Sequence, residues 1–477
     1  MRPPAAHVLA ACLAAACLVA TCLVAGCSEA PPSAPDETRV DVRYTSPAIP
    51  AFGATPTPAQ RAWQDMEVTA FVHFGVNTFT GREWGTGDED PAVFDPSALD
   101  ALQWFEAARD GGVRGILLTA KHHDGFALWP SRHSDHTVAA SPYRGGAGDV
   151  VAEAAAAARQ TGLEFGVYLS PWDRHEPTWG TPTYNEFFLA QADELTNPTH
   201  ATTYGRLFEF WLDGAHGDEV TQAQRDTYDV GRWEAFIRRR QPGVLIAFSA
   251  DIGYSGNEGG FGPETHWKNE NGYWQPNECN MPFRGGWFWH ENEDPKSVDD
   301  LVDAYFRTVG RDCVLLLGLA PDRRGLLEDE DVARLREWRA ALDRLFAENV
   351  VADLPAEATS TRPGDGGWAA GAATDGEPES FWAADETAAA LTVELPEPES
   401  VSVIEVREPI RYGQRIAAFA VDAWDGSGWT EVARGTTVGR RRLLRIDPVT
   451  AWRWRLRIED ARAAPAVSEF KLYAPAR

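Results

Sequence analysis

The chain has 477 residues, a formal net charge of -27 and 44% hydrophobic residues. That length and composition fit two domains with sizeable cores and exclude a disordered chain. So acidic a balance excludes nucleic acid as a partner and an anionic membrane held through basic patches, while the 19 tryptophans offer flat apolar faces that suit sugar rings and large cores alike.

Residues 1–26 read as a secretion signal, with Arg2 as a positive start and an apolar run from Val8 to Ala25. Val24 to Cys27 resembles a bacterial lipobox, in which small residues admit the signal peptidase and the thiol of Cys27 is lipidated. Residues 27–50, rich in Pro, Ser and Ala, then form a tether. The protein is expected to be exported and lipid-anchored to the bacterial envelope, on its periplasmic or cell-surface face. This anchor is its one expected membrane contact. Beyond Cys27 only Cys279 and Cys313 remain. They give no disulfide framework and no zinc spacing, and whether they pair is left open by the sequence.

Across residues 51–350 short apolar runs alternate with helical patterns. Strands are predicted at 69–75, 115–120, 165–170, 207–212, 244–248 and 313–317. Helices are predicted at 96–111, from a cap at Asp149 through Arg159, and at 185–195, 228–240, 298–309 and 328–346. Fully apolar strands alternating with helices mean a parallel sheet covered by helices, and over this length a (β/α)8-like barrel. A doubly wound sheet is the alternative, without a Gly-rich phosphate fingerprint to support it. Strands six and seven are not evident between Asp251 and Trp289, so the barrel is expected to be irregular there.

Polar residues collect where these strands end. His73 follows the first, Lys121 to Asp124 the second, Tyr168, Ser170 and Asp173 the third, and Asp213 the aromatic-rich fourth. In a barrel all of them face one rim, where reactive groups gather. Adjacent His122, His123 and Asp124 point to alternate sides of a strand and do not readily share one ion, so no metal and no cofactor are expected.

These blocks resemble the family-29 glycoside hydrolases, the α-L-fucosidases. The matching segments are FVHFG at 71–75, Glu83 with Trp84, TAKHHDGF at 119–126, YLSPWD at 168–173, FWLDG at 210–214, SGNEG at 255–259, GWF at 286–288 and VGR at 309–311. They cover nearly the whole predicted barrel in order and are most similar to the branch acting on 3- or 4-linked fucose of branched glycans. The resemblance implies an exo-acting, retaining hydrolase of terminal α-linked fucose, with Asp213 as nucleophile and Glu258 as acid/base. It implies a sugar pocket of His73, Glu83, Trp84, His122, His123, Tyr168 and Trp211, with Trp287 as an apolar wall for the fucose methyl group. Two departures stand out. The family usually carries Asn near the end of the last strand, where this chain has Gly318. The lead-in to Glu258 is less basic and aromatic than expected. Glu264 and Glu278 are further acidic candidates, each otherwise a solvated loop acid. The rival readings are a related glycosidase such as an α-L-galactosidase and a catalytically silent sugar-binding lipoprotein.

After residue 351 the pattern changes to short alternating runs at 389–395, 401–406, 418–422, 442–446 and 452–458. Period two with turn breaks predicts an antiparallel β-sandwich over 351–477. The segments 413–416 and 435–440 resemble the discoidin-like sandwich found behind the barrel in this branch. Arg453, Arg455 and Arg457 make a basic stripe, expected as a solvated strand face or one docked on the acidic barrel.

Overall fold

The computed structural model describes residues 49–199, 204–255, 258–364 and 367–476. The expected signal peptide, Cys27 and the expected tether up to residue 48 lie outside the described residues.

Eight parallel strands form one curled sheet. They are β1 (Val68–Val72), β2 (Gly115–Lys121), β3 (Glu164–Leu169), β4 (Glu209–Trp211), β5 (Leu245–Ile246), β6 (Gly253–Tyr254), β7 (Asn277–Pro282) and β8 (Cys313–Leu319), in the order β5-β4-β3-β2-β1-β8-β7-β6. The seam between β5 and β6 is closed by a single parallel bridge, Ala247 to Ile252. The barrel is irregular in the region where the sequence shows no strands. β6 is two residues long, and β7 reads NECNMP, too polar to register as an apolar run.

The central strands β1, β2 and β8 are buried throughout and largely apolar because both faces are covered. Ala70, Val72, Ile116, Leu118, Leu315 and Leu317 face the surrounding helices. Phe71, Leu117, Val314 and Leu316 alternate with them and fill the interior with Trp63, Tyr168 and Trp211. Trp63 comes from the helix Pro58–Met66, which Thr57 and Gln60 start with a reciprocal capping box.

Asp149 caps the helix Val150–Thr161 through Ala152 N, as its position predicts. The expected helix at 96–111 is shorter, Ala101–Asp110. Asp100 caps it, and the backbone N–H groups of Ala98 and Asp100 are committed to the carbonyls of Arg324 and Gly325, which holds the approach out of the helix. Cys279 and Cys313 are joined as a disulfide between β7 and β8.

The C-terminal region is antiparallel. Its main sheet runs β13 (Trp429–Gly435), β12 (Ile416–Trp424), β14 (Arg442–Ala461), β11 (Ala389–Arg407), β16 (Glu469–Tyr473), with β9 (Ala356–Ala358) on β11. A two-stranded ribbon pairs β10 (Trp382–Ala383) with β15 (Ala466–Val467). The runs at 389–395 and 401–406 are one strand, β11, whose register shifts between Glu394 and Glu399. The arginine stripe is paired within its own sheet, not against the barrel. Arg455 and Arg457 both reach Asp422 at 2.6 and 2.8 Å, and Arg453 lies 3.6 Å from Glu394.

Barrel and sandwich belong to one compact unit, Ser46–Arg477. A buried ionic network joins them. Arg441 contacts Glu67 and Glu405 at 2.7 Å each, Arg440 contacts Glu67 at 2.8 Å, and the hydroxyl of Tyr305 donates to Glu67 at 2.6 Å.

Candidate active site

At the C-terminal rim of the sheet lies a cavity of ≈ 330 Å³ lined by Phe71, His73, Trp84, His122, His123, Tyr168, Trp211, Asp213, Gly214, Ala215, Phe248, Tyr254, Glu258, Asn280 and Trp287. The strand ends therefore converge as a barrel requires.

Asp213 follows β4 directly. The hydroxyl of Tyr168 donates to its Oδ2 at 2.7 Å, and the backbone N–H of Ala215 donates to its Oδ1 at 2.7 Å. Its side chain is 15% exposed. Burial raises the Asp213 carboxyl above the usual range, and these two donors pull against it. A carboxylate so held is oriented and poorly solvated, which suits attack on an electrophilic carbon. Burial pushes the phenol of Tyr168 well up, and the Asp213 charge adds to that, so it stays a donor.

The three histidines around it are neutral. Burial lowers His73 and His122 far below the ordinary imidazole value, and each feels the next imidazole as well. Burial, with His73, Arg174 and Lys121 nearby, brings His123 down to about 3. Ser170 Oγ donates to the carbonyl of Trp172 at 2.6 Å, so in its 2.7 Å contact with His123 Nδ1 it accepts. That fixes the tautomer: Nδ1 carries the proton, and Nε2, 3.6 Å from Asp213 Oδ2, presents a lone pair to the cavity. A hydroxyl donor is the ligand group that lone pair fits. Beneath these residues Lys121 is buried and tied to Asp173 at 2.6 Å and to Gln191 at 2.9 Å. Asp173 in turn accepts from the N–H groups of His175 and Glu176, which pins the turn after β3.

Glu258 is exposed on the cavity wall. Glu83 is not on that wall. Its carboxylate accepts from the backbone N–H of Trp287 at 2.8 Å and of Phe288 at 3.3 Å, and contacts His290 Nε2 at 2.5 Å. Glu83 thus positions the loop that presents Trp287. Gly318 explains itself through the same ring: a Cβ there would lie 2.6 Å from Cε3 and Cζ3 of Trp287. The missing side chain leaves no gap, because the indole fills the space.

Of the other acids, Glu264 lies away from the cavity and pairs with Arg311 and Arg442. Glu278 is no loop acid. It is 1% exposed on β7 and accepts from Trp211 Nε1 at 2.7 Å. Sequence reasoning missed Phe248, Tyr254 and Asn280. Phe248 ends the fifth predicted strand and was open to the same strand-end argument as Asp213; it is 41% exposed and left-handed at φ 60°. Tyr254 and Asn280, joined by a 2.9 Å hydrogen bond, sit on the two strands that carry no apolar signature.

The family model described as alpha-L-fucosidase matches residues 48–343, and one described as a NedA-like, galactose-binding domain matches residues 372–456. Alpha-L-fucosidase 1 of Arabidopsis thaliana is 40% identical over 449 residues, covering 88% of this chain and 87% of its own length. The crystal structure of SpGH29 has a TM-score of 0.84 at 36% identity and covers 90% of this chain and all (100%) of its own. A Ruminococcus gnavus GH29 fucosidase, solved in complex with fucose, has a TM-score of 0.83 at 27% identity, covering 90% of this chain and 97% of its own.

Proposed function

This chain belongs to the α-L-fucosidase family of glycoside hydrolases, and on that premise we propose that it is an exo-acting, retaining enzyme that removes terminal α-linked fucose with Asp213 as nucleophile and Glu258 as acid/base. The observation that carries this reading is the carboxylate of Asp213, held by Tyr168 and Ala215 N–H in a cavity that is also lined by a second, exposed carboxyl, Glu258. Asp213 attacks the anomeric carbon while Glu258 protonates the departing oxygen. Glu258 then deprotonates the water that cleaves the fucosyl ester, and the configuration is retained.

Neutral imidazoles suit a sugar better than charged ones, since each keeps a lone pair that can accept from a hydroxyl. Trp287 over Gly318 supplies an apolar face for the methyl group of fucose. A 6-hydroxyl in that place would be desolvated against the indole, which favours fucose over L-galactose. The fucose held by the Ruminococcus gnavus neighbour supports the same choice. A silent binding protein has no need of a desolvated carboxylate in a cavity shared with a second acid. The SGNEG segment at 255–259 supports 1,3- or 1,4-linked fucose on branched oligosaccharides or glycoconjugates as substrate. The leader and Cys27 support an exported lipoprotein on the bacterial envelope, tested by whether Cys27→Ser leaves the membrane fraction.

Hydrolysis of a nitrophenyl α-L-fucoside, compared with the α-L-galactoside, tests the activity. Asp213→Ala should abolish turnover, and added azide should restore it with a β-fucosyl azide product. Near wild-type turnover by that variant without azide would place the nucleophile elsewhere.

A further inference from the structure

Among the described residues no helix lies between β5 and β7, and on that flank a second cavity of ≈ 480 Å³ adjoins the one that holds Asp213. Phe248 and Tyr254 line both, with their ring centroids 5.1 Å apart, so the two cavities meet across these rings. Trp267, Glu270, Gln275 and Asn277 line the second cavity further out. Gln275 spends its Nε2 on the carbonyl of Ser249 at 2.8 Å, and Asn277 spends its Nδ2 on Ser255 Oγ at 3.1 Å. Among the described residues no donor occupies the amide oxygen of either. Arg462 takes Oε1 of Glu270 at 2.9 Å, which leaves Oε2. Flat apolar rings beside open acceptors fit a neutral sugar chain: the rings cover its C–H faces, and the oxygens accept from its hydroxyls. The same acceptors disfavour an anion.

The loop that carries Trp267 is fastened by the sandwich. Gln414, which is fully buried, donates to the carbonyl of His266 and accepts from the N–H of Lys268, both at 2.9 Å, so its amide brackets Trp267. Thr437 Oγ1 accepts from the N–H of His266 at 2.9 Å. Arg462, which directly follows β14, sets its guanidinium carbon 3.6 Å from the centre of the Trp267 ring system. Arg462 is not part of the cavity lining, so it backs the indole from outside. We propose that the second cavity holds the sugar units behind the fucose, and that the sandwich builds its outer wall, with Gln414 and Arg462 as positioning residues for Trp267. The inference rests on the fucosidase reading. The oxygen that Glu258 protonates carries the rest of the glycan, and Glu258 lines the inner cavity together with Phe248 and Tyr254, so the glycan leaves across those rings. The substrate class is a neutral oligosaccharide in place of a single fucosylated sugar, and the second domain is a part of the substrate site.

The first test needs no turnover, so it can fail while the fucosidase reading stands, and the reverse. Saturation-transfer NMR of the full chain with lacto-N-tetraose, which carries no fucose, should show transfer in the wild type and lose it in Trp267→Ala. No transfer in the wild type, or transfer that survives in Trp267→Ala, overturns the proposal. The second test compares kcat/KM on the 3- or 4-fucosylated tetrasaccharide with kcat/KM on an aryl fucoside. Trp267→Ala should lower the ratio of the two by about 10-fold, the order expected for uncovering one apolar face, with the loss in KM for the tetrasaccharide. Arg462→Ala removes an exposed side chain, so folding is not at stake, and it should lower the ratio in the same direction by a smaller factor. A merely structural contact would lower thermal stability and reduce both substrates equally, and that result overturns the positioning role. A selective loss in Trp84→Ala with none in Trp267→Ala would send the glycan past the other exposed indole, and that also overturns it.

Discussion

Removing the hydroxyl of Tyr168 tests the setting of Asp213, the proposed nucleophile, more finely than removing Asp213 itself. Tyr168→Phe keeps the ring, which is buried and stacked on Trp211. It deletes one of the two hydrogen bonds to Asp213, the 2.7 Å bond to Oδ2, and leaves the Ala215 N–H on Oδ1. A hydrogen bond to a charged group contributes about 1.5–3 kcal/mol, so the ionised form loses that much relative to the protonated one. The sign follows. Burial already raises Asp213, Tyr168 opposes burial, and without Tyr168 the carboxyl rises further. On the acid side of the profile, kcat/KM for an aryl α-L-fucoside should therefore fall by about 10- to 100-fold. At higher pH, where Asp213 is ionised in both proteins, the gap should narrow. The assay is kcat/KM against pH for wild type and variant, with thermal unfolding as a control for the ring packing. An acid limb that stays put, with a uniform loss at every pH, would refute the claim that Tyr168 sets the ionisation of Asp213.

Three further outcomes follow from separate parts of the molecule. Glu258→Ala should cost about 1000-fold on a natural oligosaccharide and far less on an activated aryl fucoside, with azide giving α-fucosyl azide, because a good leaving group needs no proton; Glu264→Ala should lack that leaving-group dependence, since Glu264 is occupied with Arg311 and Arg442. Gly318→Ala puts a Cβ 2.6 Å from Trp287 and should displace the indole, at an overpacking cost of about 1–3 kcal/mol; kcat/KM for fucoside should fall while the galactoside-to-fucoside ratio rises, and an unchanged ratio would remove Trp287 from methyl recognition. Arg441→Met should destabilise the chain at neutral pH in calorimetry by about 1.5–3 kcal/mol for each charge-assisted hydrogen bond lost, because Glu67 and Glu405 each lose Arg441 while keeping Arg440 and Arg407 respectively. Against the upward push of burial, Arg441, Arg440 and Arg407 hold Glu67 well below the carboxylate range, and Arg407 and Arg441 hold Glu405 down to about 2. That stabilisation is present above the ordinary glutamate value of 4.5 and fades as pH falls toward about 2, so the gap between wild type and variant should close in acid.

The fold was legible wherever a strand is buried on both faces. CVLLLGL is apolar at every position, and GILLTAK is so up to Thr119, because one face meets helices and the other the barrel core. β7 escapes the same reasoning because it carries polar side chains inward: Glu278 to Trp211, and Asn280 to the cavity wall. A strand whose interior face is functional loses the pattern that announces a strand. In the sandwich the run at 389–407 reads as two strands because Pro396, Glu397 and Pro398 interrupt the alternation, at the point where the ladder itself slips register.

The site divides in a similar way. His73, His122, His123, Tyr168, Trp211 and Asp213 could be placed together because a parallel barrel carries every strand end to one rim, so position along the chain stands in for position in space. Glu83 shows where that substitution stops. Its motif neighbour Trp84 reaches the cavity, but its own carboxylate is satisfied by the N–H groups of Trp287 and Phe288, about 200 residues onward, a contact no local pattern encodes. Glu278 shows the converse. Its neighbours in sequence, Pro276 and Asn277, suggest a solvated turn, whereas its neighbours in space are an indole N–H and a second buried acid. What a carboxyl does depends on whether water, a donor or another charge stands beside it. For Asp213 the strand end announced that environment. For Glu278 it is made by residues brought in from β4 on the other side of the barrel, and the chemistry of the residue appears only with the fold.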